Sequence, residues 1–140
     1  MSRAREEQNR RMLRARDLMD RSYAEPLDVP ALARAAHTST AHFSRTFAAT
    51  FGETPHRYLQ RRRVERAAHL LRETGDSITD ICMAVGFTSL GTFSRTFSSI
   101  MGCAPSAFRK QSAALPVPNC AVMAWARVSS SGEVRPGTDG

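Results

Sequence analysis

Phe43-Ser44-Arg45-Thr46-Phe47 recurs unchanged, at an offset of 50, as Phe93-Ser94-Arg95-Thr96-Phe97. The same offset sets Thr38-Ser39 against Thr88-Ser89, Gly52 against Gly102, Pro55 against Pro105 and Tyr58 against Phe108. Upstream the offset slips to 49, pairing Leu32-Ala33 with Ile81-Cys82 and His37 with Gly86. Matches in this order and spacing describe one unit of about 30 residues present twice, with one extra residue in the second copy's internal turn.

Each copy reads as helix, tight turn, helix. Asp28 is the cap of a helix running through Leu32 and Ala33 to about Ala36. Ser77 and Asp80 open its counterpart, which carries Ile78, Ile81, Cys82 and Val85. Turns follow at His37-Thr38 and at Gly86-Phe87-Thr88, and second helices are expected over about 40–51 and 89–101. There Phe43, Phe47 and Phe51, and likewise Phe93, Phe97, Ile100 and Met101, recur at helical spacing and make an inward apolar stripe. The opposite faces carry Ala41, Ser44, Arg45 and Ala48 in one copy and Gly91, Ser94, Arg95 and Ser98 in the other. Gly52 and Gly102 stop these helices.

Thr54-Pro55 starts a further helix that reaches about Glu73, with Tyr58, Leu59, Val64, Ala67, Ala68 and Leu71 on an apolar side and arginines around it. Met12, Ala15, Met19 and Tyr23 give an amphipathic opening helix, and a short closing helix runs from Pro105 to near Ser112. The expected fold is all-α: two helix-turn-helix subdomains joined by a long linker helix, about seven helices in total. The first unit covers about 8–53, the linker about 54–73 and the second unit about 76–112, within one domain of 1–112. Residues 113–140 read as a disordered tail with a short apolar segment at 120–126, in which Trp125 is the anchor if the segment docks.

The chain has 140 residues, 20 Lys+Arg against 13 Asp+Glu, and a net charge of +7. That length leaves room for only a modest core. The whole excess lies in residues 1–112, with 18 basic and 11 acidic side chains. All the basic residues but Lys110 are arginine, the better bidentate partner for phosphate and guanine, although a coding bias toward arginine gives the same count. Residues 54–74 alone carry +4, which attracts polyanions unless it is simply a solvated helix face. Cys82, Cys103 and Cys120 form no C-x-x-C pair and the histidines make no ligand pattern with them, so neither a metal site nor a disulfide framework is expected. No Gly-rich phosphate loop with lysine and no nucleophile elbow is present, so an enzyme is not expected, nor a cofactor. The longest apolar run, Cys120–Ala126, is too short to cross a bilayer, and no secretory h-region follows the first charges. A cytoplasmic, nucleoid-associated protein is expected.

Two helix-turn-helix units point to double-stranded DNA. The second helix of each keeps its apolar stripe inward and offers the other face to a major groove. Arg45 and Arg95 are the longest donors on those faces, and arginine makes two parallel bonds to guanine. A connecting helix about 30 Å long is comparable to the roughly 34 Å between successive major grooves, so one chain can reach two grooves. The two outward faces differ, which predicts an asymmetric site.

At this level the chain resembles the DNA-binding domain of the AraC/XylS family of bacterial transcription regulators. The resemblance rests on Ile81-Cys82-Met83-Ala84-Val85-Gly86-Phe87-Thr88-Ser89, then Phe93-Ser94-Arg95-Thr96-Phe97, Gly102, Pro105 and Phe108-Arg109, with Tyr58-Leu59, Arg63, Ala67 and Leu70-Leu71 in the linker. It covers about residues 8–112. It implies promoter binding through the second helix of each unit, usually to activate transcription. Base-reading positions carried over are Ala41, Ser44 and Arg45, and Leu90, Gly91, Thr92, Ser94 and Arg95. Leu90 can touch a thymine methyl, whereas Gly91 offers no side chain. Phosphate contacts are expected from Ser39, Thr40, His42, Thr88, Ser89, Arg61 and Arg62, the serines and threonines also being candidate caps. Arg63, beside the apolar stripe, reads equally as a structural hydrogen-bonder and as a phosphate contact. With Met1 a few residues ahead of the first helix, the resemblance is to single-domain members that act as monomers, with RNA polymerase as a further partner. The competing readings are a non-specific nucleic-acid binder and a helical protein-interaction module.

Overall fold

Six side chains start six helices. Ser2, Asp28, Ser39, Thr54, Ser77 and Ser89 each accept a hydrogen bond from the backbone N–H three residues on, at 2.9–3.2 Å. Each bond satisfies one of the N–H groups that a helix start leaves without a partner. The computed structural model describes residues 2–114. Among these are seven helices and no strand: α1 Arg3–Arg21, α2 Val29–Ala35, α3 Thr40–Phe51, α4 Pro55–Glu73, α5 Ile78–Ala84, α6 Leu90–Met101 and α7 Pro105–Ala114. The apolar segment 120–126, with Cys120 and Trp125, lies outside the described residues.

The all-α double helix-turn-helix expected from the repeat is the fold found. α1 packs on α2 and α3 to form the first unit, and α5 and α6 pack together with α7 in the second. The duplication extends into the aromatic packing. Phe43 and Phe47 lie 5.6 Å apart and Phe93 and Phe97 5.7 Å apart, ring centre to ring centre. Phe47 then meets Tyr58 edge-on at 5.8 Å, as Phe97 meets Phe108 at 5.5 Å. Gly52 and Gly102 both end their helices with φ above +80°, a left-handed conformation that glycine enters without a Cβ clash.

Backbone bonding locates the extra residue of the second copy. Thr38 N–H donates to the Ala33 carbonyl and Phe87 N–H to the Cys82 carbonyl. Phe87 therefore takes the place of Thr38, and Thr88 is the added residue, one position later than the sequence match sets it. Phe87 is buried and packs its ring at a tilt against Phe93, 5.2 Å centre to centre, an apolar plug that the first unit lacks at this point.

Three further differences from the expected layout have simple causes. α1 starts at Arg3, about a turn and a half earlier than the boundary near residue 8, because Ser2 caps it; these first turns are exposed, and Met12 is the first buried residue. Tyr23 is not on α1, which ends at Arg21, but packs half-buried against both cores. The linker helix has two apolar sides, not one. Tyr58 and Leu59 belong to the first core, whereas Val64, Ala67, Ala68 and Leu71 belong to the second. Tyr58 and Ala67 are about two and a half turns apart at 3.6 residues per turn, which puts them on opposite faces of α4. One helix thereby carries the two units on opposite sides.

Tyr58 also ties α4 to α1, donating its hydroxyl to Asp20 Oδ1 at 2.7 Å. Burial, and next the Asp20 carboxylate, push its phenol up to about 12. The fold thus favours the neutral phenol. Its contribution is complete below the unfolded value near 10 and is lost as pH rises from about 10 to 12. Raising the pH from 9 to 11.5 is expected to cost the native chain about 2 kcal/mol more than it costs a Tyr58→Phe variant. Urea unfolding at the two pH values checks this, and parallel losses in both chains would count against it.

Candidate nucleic-acid interface

α3 and α6 each bury one stripe and expose another. On α3, Phe43, Thr46 and Phe47 are buried, whereas Thr40, Ala41, His42 and Arg45 are exposed and Ser44 and Ala48 are half-buried. On α6, Phe93 and Phe97 are buried, Leu90, Gly91, Thr92 and Arg95 are exposed, and Ser94 and Ser98 are half-buried. Each sequence-derived set of base-reading positions therefore lies together on the outer face of one helix. Leu90 keeps 45% of its surface open, comparable with Leu13 at 47%.

Each of these two faces carries one arginine outside any ion pair among the described residues. The ion pairs among the described residues involve Arg10, Arg11, Arg21, Arg61 and Arg62, and neither Arg45 nor Arg95 takes part in one. At the start of α6, a Cβ on Gly91 would lie 3.4 Å from Arg95 Nη1. That is an ordinary van der Waals contact with the end of a flexible side chain, so an alanine would fit there beside the Arg95 guanidinium.

The phosphate candidates divide. Ser39 and Ser89 cap α3 and α6. Ser89 also donates its hydroxyl to Thr92 Oγ1 at 3.2 Å, while Thr88 is exposed beside it. His42 pairs with Thr46 through Nε2 at 3.3 Å. Arg61 and Arg62 are held by carboxylates. Arg61 reaches Glu53 Oε2 and Glu65 Oε2, each at 2.7 Å, and Arg62 reaches Glu65 Oε1 at 2.7 Å and Asp20 Oδ1 at 3.1 Å. Glu53 in particular holds the Arg61 proton more firmly than water does. Part of the linker's positive charge is therefore internal to the fold, leaving Arg57, Arg66 and Arg72 exposed outside these pairs.

Arg63, whose sequence context left two roles open, binds backbone. Its Nε donates to the Tyr23 carbonyl at 2.6 Å and its Nη2 to the Glu25 carbonyl at 2.8 Å. Arg109 acts in the same way on α4, donating to the Leu71 and Thr74 carbonyls, both at 3.1 Å. It satisfies acceptors that the end of a helix leaves open. The sequence signal for such arginines is only their position beside apolar residues. Cys82 is buried, and burial pushes its thiol up, away from the reactive thiolate. Among the described residues no group of three His, Cys, Asp or Glu comes together. No helix there is long and apolar enough to cross a membrane.

Residues 32–111 match the helix-turn-helix domain family. An HTH-type transcriptional regulator of Mycobacterium tuberculosis is 39% identical over 79 residues, which is 56% of this chain and 30% of that protein. The crystal structure of an AraC-type transcriptional regulator from Chromobacterium violaceum is similar with a TM-score of 0.69 and 31% identity, over 76% of this chain and 95% of that one. The DNA-binding domain of AdpA, a global transcriptional factor crystallised with a target DNA, is similar with a TM-score of 0.69 and 27% identity, over 71% of this chain and 90% of that one. The chain spans less than half the length of the curated relatives it matches. The register of the repeat, the two helix-turn-helix units on one shared helix and these matches agree: the chain belongs to the AraC-type helix-turn-helix family.

Proposed function

We propose that this protein is a transcription regulator that inserts α3 and α6 into successive major grooves of an asymmetric promoter site. The observation that carries the reading is the pair of exposed, unpaired arginines, Arg45 and Arg95, at the same register of two duplicated helices. Both helices sit on one rigid α4 of 19 residues, about 28 Å long. The target DNA in the AdpA structure supports duplex DNA as the ligand.

In this reading Arg45 and Arg95 bind guanine edges, and Leu90 meets a thymine methyl. Ser44, Ser94 and Thr92 add single hydrogen bonds, and Ala41 and Gly91 allow close approach. Ser39, Thr40, His42, Thr88 and Ser89 face phosphates near the two helix N-termini, where the dipole favours an anion. Arg61 and Arg62 leave the phosphate set on this geometry, because binding DNA through them would break their pairs with Glu53, Glu65 and Asp20. Residues 1–112 act as the DNA-binding domain, without enzymatic activity. The chain binds as a monomer and activates by presenting RNA polymerase with an occupied promoter.

Selecting bound duplexes from a random pool tests this directly. The expected product is a non-palindromic site with two elements about 10–10.5 base pairs apart. A palindrome, or no enriched sequence, would sink the reading.

A further inference from the structure

Three segments of the chain meet at the Arg63 guanidinium. The first is the loop between α1 and α2, whose Tyr23 and Glu25 carbonyls it binds at 2.6 and 2.8 Å. The second is α4 itself. The third is the turn of the second unit, where Gly86 sits at φ +100°. A Cβ on Gly86 would stand 2.9 Å from Arg63 Nε and 3.1 Å from both the Cα and the carbonyl oxygen of Ala24.

His37, the counterpart of Gly86, also has positive φ, at +58°, yet keeps a full, exposed side chain. The two copies differ here because only the second turn is pressed against the other unit. Arg63 is half-buried, and Tyr23, whose carbonyl it holds, packs against both apolar cores. Arg63 thus lies at the joint between the units. Arginine suits this place, since its planar fork holds two acceptors at once.

We propose that Arg63, closed against Gly86, is the positioning residue that sets the phase between the two recognition helices, and hence the spacing the protein requires between its two DNA elements. This rests on the DNA-binding reading above. One inserted base pair turns the second element by about 35° and moves it along the axis, so a stiff joint must give up contacts in one groove. A loosened joint follows the displaced element.

The test uses the full chain and the two-element duplex it selects from a random pool, with none, one or two base pairs inserted between the elements. Wild type is expected to lose about tenfold to a hundredfold in affinity for one inserted pair, the cost of misplacing one set of base contacts. In Arg63→Met, which keeps much of the stem but removes both donors, the loss is expected to shrink to about threefold. Arg63→Lys, which keeps the charge but donates from a single nitrogen, should fall between, and it carries the test should the methionine variant not fold. A folded Arg63 variant with an undiminished spacing penalty overturns the proposal, as does a sequence-specific wild type indifferent to spacing. A wild type with no sequence preference overturns the DNA reading itself, which is a separate and visible outcome.

Discussion

Phe93→Ala is expected to lower the unfolding free energy by about 3–5 kcal/mol. Phe93 has no exposed surface, and its ring lies between Phe87 at 5.2 Å and Phe97 at 5.7 Å. Removing it opens a ring-sized cavity in a core built from few large side chains, with Val64, Leu71, Ile81 and Val85 the main aliphatic neighbours. Little can collapse into that space, because α4 is anchored by the first unit on its other face. Native stability is only about 0.05–0.15 kcal/mol per residue, so the loss is a large share of the total for a domain of this size. The second unit should therefore melt first, and two-groove binding should fail with it. Urea unfolding followed by helicity reads the change, and a shift below about 1 kcal/mol would contradict the packing described. Leu90→Ala, at an exposed position on the same helix, is the control and should stay within about 0.5 kcal/mol of wild type.

The second large effect falls on binding and spares folding. Arg45→Ala and Arg95→Ala are each expected to weaken binding to the selected site by about tenfold to a hundredfold, the worth of a bidentate arginine–guanine contact. Affinity for random DNA should change far less. Neither side chain has an ion-pair partner among the described residues, so thermal stability should hold within about 0.5 kcal/mol. The two losses should add in free energy, because the residues sit in different units and share no neighbour. Lysine should not restore either contact, since an ammonium cannot make the two parallel bonds. Competition binding with the selected and a shuffled duplex measures the ratio. An unchanged ratio for Arg95→Ala would remove that residue from base reading.

Much of this molecule is legible in its sequence because its strongest signals are local. Identical pentapeptides fix the duplication, phenylalanine spacing fixes which face of α3 and α6 turns inward, and hydroxyl or carboxylate caps mark helix starts. Helix ends are less legible: Ser2 is an inconspicuous cap ahead of exposed turns, and Tyr23 continues the spacing of α1 past its end. The two-sided burial of α4 was read as one apolar side because the switch occurs within a few residues, between Leu59 and Val64, where periodicity averages over it. The arginines were the least legible. Arg61, Arg62 and Arg63 are consecutive and chemically identical in sequence. In the fold one joins Glu53 to Glu65, the next joins Glu65 to Asp20, and the third holds two carbonyls of a loop some 40 residues earlier. Glu65 lies within reach along α4 itself, whereas Glu53, Asp20 and the two loop carbonyls are brought there only by the tertiary arrangement. The +7 charge is thus partly bound up in ion pairs within the fold, while Arg45 and Arg95 stand on the exposed faces of α3 and α6.

The most direct measurement is the specificity ratio of the full chain. Affinity for the selected two-element duplex is compared with affinity for a shuffled duplex of equal length, at two salt concentrations. The expected ratio is about a thousandfold or more and persists at the higher salt, because base contacts survive the screening that weakens phosphate contacts. A ratio near one at both salts would contradict sequence-specific regulation and leave only the attraction of a basic helical protein for a polyanion.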